Sequence, residues 1–413
     1  MDRFTGLIGI ILILAIAYAL SNNRKAINFR TVGVGLAMQA VLAIFILKTP
    51  VGQLIFSKLG QWVTRIINFS NEGAKFVFGP LAESEIVSKA FGGGGFIFFF
   101  NIIPTIIFVA VLVNICYYIG LMQFVVKILA RGMKALMGIS GSEALSNISS
   151  AFVGQVEAQI MIKPYLKGMT NSELIASMSG SFACIAGGVM ATYIQFGVSA
   201  EYLIAASIMA APGAMAIAKI VYPETEESET KGTVTLKVAK EHTNLIDAIS
   251  AGCSDGLKVG LNVLAMLVGF LALIAFLNFG LGKIGGSVGF PSLSFDSILG
   301  YLFAGFAWCM GVPASEIVQA GSLMGTKLAA NEFVAYLNLS PMIKAGTLSP
   351  KTIAIVSFAL CGFANFGSLG IQVGGISALE PSRRADLTKL AFRALICGTL
   401  ASYMSATLAG LLF

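Results

Sequence analysis

Residues 352–379 read TIAIVSFALCGFANFGSLGIQVGGISAL, a stretch without one Asp, Glu, Lys or Arg in which glycines punctuate an apolar run. A helix needs about 20 residues to cross the roughly 30 Å hydrocarbon layer of a bilayer, so length alone predicts a membrane span here. The glycines predict more. The string Phe363 to Gly370 and the pair Gly374-Gly375 are expected to interrupt the helix, and opened backbone there would offer carbonyls to a cation or donors to a ligand. Close helix packing explains each glycine taken singly as well.

The same absence of charge recurs outward along the chain, in Phe4–Ser21, Ala90–Val126, Leu174–Ala200, Val259–Gly282 and Ala394–Phe413. Two further spans are expected at Thr31–Pro50 and at Tyr202–Ile220, the latter with a tolerable helix break at Pro212-Gly213. The whole chain of 413 residues is 56% hydrophobic and 11% charged, with a mean hydropathy of +0.85. That composition excludes a soluble domain with a polar shell. Arg24 and Lys25 follow the first span rather than precede it, so it reads as a retained helix and not a signal peptide. Gly92–Gly95 lacks the lysine and strand context of a phosphate loop and reads as a hinge before the third span.

The formal charge of +7 does not imply nucleic acid, because the cations sit in short loops between spans. The positive-inside rule accounts for them. With Arg24, Lys25 and Arg30 in the cytoplasm the N-terminus is outside, and Lys127, Arg131, Lys134, Lys231, Lys237, Lys240, Arg383 and Arg384 fall on the inner side. This holds only if stretches near 143–166 and 315–338 enter the membrane and return on the same face. Pro223–Asn244 reads as a soluble cytoplasmic linker, and its His242 as a solvated residue without a role. The six cysteines show no CxxC spacing and read as packing thiols.

The halves echo each other. Gly138-Ile-Ser-Gly-Ser-Glu143 resembles Gly311-Val-Pro-Ala-Ser-Glu316, and Gly180-Ser-Phe-Ala183 resembles Cys361-Gly-Phe-Ala-Asn365, as an internal repeat meeting at a midplane site would leave them. Chance likeness among small residues is the competing explanation. Carboxylates at membrane depth are costly and normally face a cavity or partner. Glu157, with Gln155 nearby, and Glu332, with Asn331 nearby, therefore read as ligand groups in preference to interhelical glue; Asn365 and Ser368 add polar groups in the later span. No nucleophile with a paired base, no HExxH and no dinucleotide fingerprint is present, which disfavours an intramembrane enzyme.

At Gly154-Gln-Val-Glu-Ala158, Lys163-Pro-Tyr-Leu-Lys-Gly-Met-Thr170, Gly325-Thr-Lys-Leu328, Asn331-Glu-Phe-Val-Ala-Tyr336 and Cys361-Gly-Phe-Ala-Asn-Phe366 the sequence resembles the concentrative nucleoside transporter family, from about Asn28 to the end. The resemblance implies an all-α polytopic fold: about eight transmembrane helices, two re-entrant helical hairpins and interfacial helices, an inverted-repeat transporter working as an elevator. It implies a homotrimer in a bacterial inner membrane, a nucleoside as substrate, and H+ or Na+ as coupling ion with no other cofactor. The organisation it suggests is 1–126 mostly scaffold, 127–221 transport elements with the first hairpin, 222–244 linker, 245–282 a scaffold helix, and 283–413 transport elements with the second hairpin. Gln155, Val156 and Glu157 fall on the nucleobase end, Glu332, Asn365 and Ser368 on the ribose end, and Val189 and Phe363 on the apolar lining. The family's sodium positions fall on Ser150, Val153, Cys184 and Ile185. A hydroxyl and a thiol there are poorer ligands for a hard cation than the family's amide and hydroxyl, which favours proton coupling through Glu332 or Glu157. Sodium held mostly by carbonyls is the alternative, and a passive nucleoside-selective channel a more distant one.

Overall fold

A computed structural model describes residues 5–91, 95–231, 242–287, 289–290 and 293–413. Gly92 to Gly94 of the expected hinge, and Lys237 and Lys240 of the linker, lie outside the described residues. The fold is all-α, with no strand among the described residues. The first part comprises α1 (Thr5–Ala19), α2 (Phe29–Lys48), α3 (Pro50–Asn68), α4 (Ser70–Phe78), α5 (Ser84–Phe91), α6 (Phe98–Tyr118) and α7 (Leu121–Met137). A first hairpin contains α8 (Gly141–Ser150) and the short α9 (Glu157–Ile160), followed by α10 (Asn171–Ala183), α11 (Gly187–Gln195) and α12 (Ala200–Val221). The second part has α13 (Leu245–Ser287), α14 (Phe295–Cys309), a second hairpin of α15 (Ile317–Ala329) and α16 (Glu332–Ala345), then α17 (Pro350–Leu360), α18 (Phe366–Leu379) and α19 (Arg384–Leu412).

Among the described residues six helical stretches are long and apolar enough to cross a membrane: Phe29–Lys48, Phe98–Tyr118, Asn171–Gln195, Ala200–Val221, Leu245–Ser287 and Pro381–Leu412. Shorter apolar helices are α1, α14, α17 and α18; α1 as one span and the pair α17 and α18 as another, with α14 leading into the second hairpin, give the expected eight. Not every helix is built to cross. On α7 the buried Val126, Ala130, Met133 and Met137 recur at helical spacing while Lys127 and Arg131 are exposed, the pattern of a helix lying in the interface. Gly138 closes it in the left-handed conformation at φ 68°, a cap that glycine adopts without steric cost.

The two hairpins enter from opposite ends. At one end Ser140 and Glu143 form a capping box for α8, and Glu143 makes a buried ion pair with Lys219 of α12. Arg383, before α19, donates to the carbonyls of Leu166, Lys167 and Met169 on the returning arm. The loop bearing Arg24 and Lys25 joins this end through the Asn22 N–H and the Val221 carbonyl, 3.0 Å apart. At the opposite end Ser340 of α16 donates to the Phe196 carbonyl at 2.7 Å, and Glu316 accepts from the backbone and hydroxyl of Ser349, the cap of α17. The two Ser-Glu doublets that echo in sequence do related work: Ser142 donates to Glu173 in the first turn of α10, as Ser349 donates to Glu316.

Two expectations about glycine fail. α12 runs unbroken through Pro212-Gly213; the missing Cβ at Gly213 instead admits the buried Gln39 of α2, whose amide donates to Ser405 at 2.8 Å. A polar clasp between three apolar helices replaces the break. Gly374 and Gly375 likewise lie inside an intact α18, where Gly375 leaves room for the Val156 side chain. The interruption falls earlier, between Leu360 and Phe366.

Candidate substrate site

The site begins where two helices stop. α10 ends at Ala183 and α11 restarts at Gly187; α17 ends at Leu360 and α18 restarts at Phe366. Ended helices leave carbonyls without intrahelical partners and restarted ones leave N–H groups. Here the two breaks serve each other: the Phe363 N–H donates to the Cys184 carbonyl at 3.2 Å, and Ser402 of α19 donates to the Cys361 carbonyl at 2.9 Å. Phe363 thus belongs to the crossing itself.

At the second hairpin tip Asn331 caps α16 by accepting the Val334 N–H, so its oxygen is committed to the backbone and not to a ligand. Glu332 opens that helix and is 5% exposed. Its carboxylate accepts from Tyr193 of α11 at 3.1 Å and from Asn365 at 2.9 Å. The other end of the Asn365 amide accepts the Ser368 N–H at 2.8 Å and caps α18. Asn365 therefore aims the carboxylate, while the remaining lone pairs of Glu332 stay available to hydroxyls. Tyr193 stacks on Tyr336 with centroids 4.2 Å apart. The last turn of α17 is held by the hairpin as well: Tyr336 donates to the Ser357 carbonyl, and the buried Lys327 to the Ala359 carbonyl at 2.8 Å.

The first hairpin tip meets the same α18. Gln372 donates to the Gln155 carbonyl at 3.1 Å, and Val156 packs over Gly375. The Gln155 side-chain oxygen is buried without a hydrogen-bond partner among the described residues, a vacant acceptor of the kind a polar ligand satisfies. Glu157 is exposed and faces a cavity of about 490 Å³. Val153, Gly154, Gly187, Gly188 and Val189 line it beside Glu157, with α6 and α13 opposite. If Gln155 reads a base edge, Gln155→Ala should change the order in which competing nucleosides inhibit uptake; an unchanged order in a competition assay would remove that role.

The four candidate cation positions are split. Ser150 donates to the Ser146 carbonyl at 2.8 Å and shares a 3.0 Å hydrogen bond with Ser181, while the Cys184 thiol turns to the Ser207 carbonyl at 3.6 Å. Both side chains already have protein partners. Val153 and Ile185 are buried on either side of the contact in which Gly187 N–H meets the Phe152 carbonyl. Three contributors escaped sequence reasoning. Tyr193 sits in an uncharged run with no distinguishing neighbour, Gln372 lies a turn beyond the polar residues of the broken helix, and Lys327 carries no signal of its own within the motif Gly325-Thr-Lys-Leu328. His242 is a correction: it is not solvated but lines the cavity, its side chain 13% exposed and its Nε2 3.0 Å from Asn114 Oδ1.

Three family profiles match: "Na+ dependent nucleoside transporter N-terminus" over residues 8–81, "Nucleoside recognition" over 99–200, and "Na+ dependent nucleoside transporter C-terminus" over 202–410. An uncharacterized transporter of Haemophilus influenzae is 43% identical, covering 100% of this chain and 98% of its own. The putative nucleoside permease NupX of Escherichia coli is 42% identical over 99% of both chains. The solved structure of CNTnw in an inward-facing substrate-bound state matches with a TM-score of 0.94 and 42% identity, covering 100% of this chain and 98% of that one. A variant of the same transporter in an outward-facing state matches at 0.95.

Proposed function

The chain belongs to the concentrative nucleoside transporter family, and on that premise we propose that it imports nucleosides across a bacterial inner membrane by proton symport. It is a transporter, not an enzyme. The observation that carries the substrate reading is the Glu332 carboxylate, held by Tyr193 and Asn365 at the junction of the second hairpin and a broken helix. A carboxylate can accept from two vicinal hydroxyls, as a ribose presents them. On the other side of α18, the vacant oxygen of Gln155 suits a base edge, and Glu157 stands at the cavity wall. Val156, Val189, Phe363 and Ser368 complete the assignment.

The hairpins are tied to the broken helices through Ser150–Ser181, Gln372 to the Gln155 carbonyl, Tyr193–Glu332 and Asn365–Glu332, and in this reading they move as one body against α6 and α13, an elevator within each protomer of a homotrimer. The matched structures of CNTnw, inward- and outward-facing, support alternating access as the mode of action. Placing the basic end in the cytoplasm puts the N-terminus outside and makes the cavity between α6, α13 and the first hairpin the inward opening.

Proton coupling is favoured because the side chains of Ser150 and Cys184 are committed to Ser146, Ser181 and Ser207. A hard cation would have to displace those bonds or rest on carbonyls such as those of Val153 and Ile185. Sodium symport is the second reading, favoured by the sodium-dependent description of the matched profiles. Uptake of labelled uridine into proteoliposomes decides between them. Accumulation under an imposed proton gradient in sodium-free buffer is the expected result; accumulation driven by sodium alone would overturn proton coupling. Equilibration without accumulation under either gradient would identify a passive channel.

A further inference from the structure

Of the proposed substrate residues the cavity is lined by Glu157 and Val189, and it does not end at them. Beyond Glu157 and Val189 it runs between the later half of α6 and the first half of α13 as far as His242. This outer part carries Asn114, Tyr118, Gln123, Asp255 and Lys258, none of which belongs to a hairpin or a broken helix. Its chemistry repeats that of the inner site: amides, an aromatic ring and a carboxylate.

Gln123 is the telling residue. Its amide nitrogen donates to the Tyr117 carbonyl at 3.0 Å, which fixes the group, and its oxygen is left buried with no partner among the described residues. Gln155 at the inner site has its side-chain oxygen in the same condition. A buried acceptor without a donor is uncommon and calls for a ligand or a water. Asn114 is held in place by the Ala110 carbonyl and His242, both at 3.0 Å. Asp255 and Lys258 lie one turn apart on α13, exposed, in no ion pair among the described residues. The whole cavity, its inner wall and this mouth together, has a volume of about 490 Å³, within the range of small-molecule pockets.

We infer that this mouth is a second, weaker nucleoside subsite, with the base against Tyr118 and Gln123 and the ribose hydroxyls toward Asp255. The choice of a nucleoside as ligand rests on the transporter reading above. Because α6 and α13 lie outside the proposed moving body, the part of the subsite formed by Tyr118 and Asp255 keeps its place while the hairpins travel. A nucleoside leaving the hairpin tip is received there before it reaches open solvent.

Equilibrium binding of labelled uridine to the purified full-length protein tests this, with the melting temperature of each variant confirming that it is folded. Wild type is expected to show two classes of site. Gln123→Ala, and independently Asp255→Asn, should weaken the weaker class about five- to tenfold, the loss of one hydrogen bond, and leave the tighter class in place. A single class in wild type, or a weaker class indifferent to both substitutions, would overturn the subsite. Displacement of the weaker class by a nucleoside monophosphate more readily than by uridine would overturn it too, because the phosphate and not the ribose would then be the group recognised. Glu332→Gln separates this inference from its premise: it should remove only the tighter class, and loss of neither class would count against the inner site alone.

Discussion

Glu332→Gln should reduce nucleoside uptake by about two orders of magnitude or more while leaving the protein folded. The substitution keeps size and shape but removes the charge and one acceptor. In the structure both Tyr193 and Asn365 donate to the carboxylate, so an amide must turn its own NH2 toward one of those donors. Substrate loses more. A hydrogen bond to a charged acceptor contributes about 1.5–3 kcal/mol, so one lost ribose contact is worth roughly 10- to 150-fold and two lost contacts compound. Initial uptake rates in proteoliposomes, read beside thermal unfolding of the same preparation, give the answer. Tyr193→Phe provides scale, since it keeps the charge and removes one neutral donor; its uptake should fall by about tenfold or less. Near-normal uptake by Glu332→Gln would end the assignment of Glu332 to the ribose.

Why some of this was readable from sequence and some was not follows from what each signal encodes. Uncharged runs register the solvent, and the bilayer is uniform enough that length and charge located the spans. The two hairpins were legible through parity: cations cannot alternate sides correctly unless two stretches turn back, and α8–α9 and α15–α16 are the helix pairs that fall in those stretches. Glycine was a poorer guide, because it encodes room without saying for what. At Gly213 and Gly375 the room is taken by Gln39 and Val156, and the helices continue. Polar residues in apolar runs were noticed only when charged or clustered. Tyr193 and Gln372 are neither, and what brings them into the candidate site is a contact with a residue far away in the chain. His242 was misjudged because its surroundings in sequence are polar, whereas its surroundings in space are the walls of a cavity.

Gly362→Ala should lower both the melting temperature and the uptake of the protein, and it is the sharpest test of the crossing between the broken helices. Gly362 has φ 136°, a conformation open to glycine and strained for other residues. A Cβ placed there would stand 2.7 Å from the Phe182 carbonyl oxygen and 2.8 Å from that of Ala183. Those atoms are backbone at the end of α10 and have no rotamer to retreat to. The conformational term is about 1–3 kcal/mol and the overpacking roughly 1–3 kcal/mol more, a large part of the 5–15 kcal/mol that a typical domain has in reserve. Relief would push the two breaks apart and stretch the bond from Phe363 N–H to the Cys184 carbonyl, next to Asn365 and so to Glu332. Gly374→Ala is the matched control, because it lies in α18 with nothing within 4 Å of its added methyl. It should retain uptake and melting temperature while Gly362→Ala loses both. Equal behaviour of the two variants would mean that the breaks do not depend on each other's backbone, and that the site is assembled by the hairpins alone.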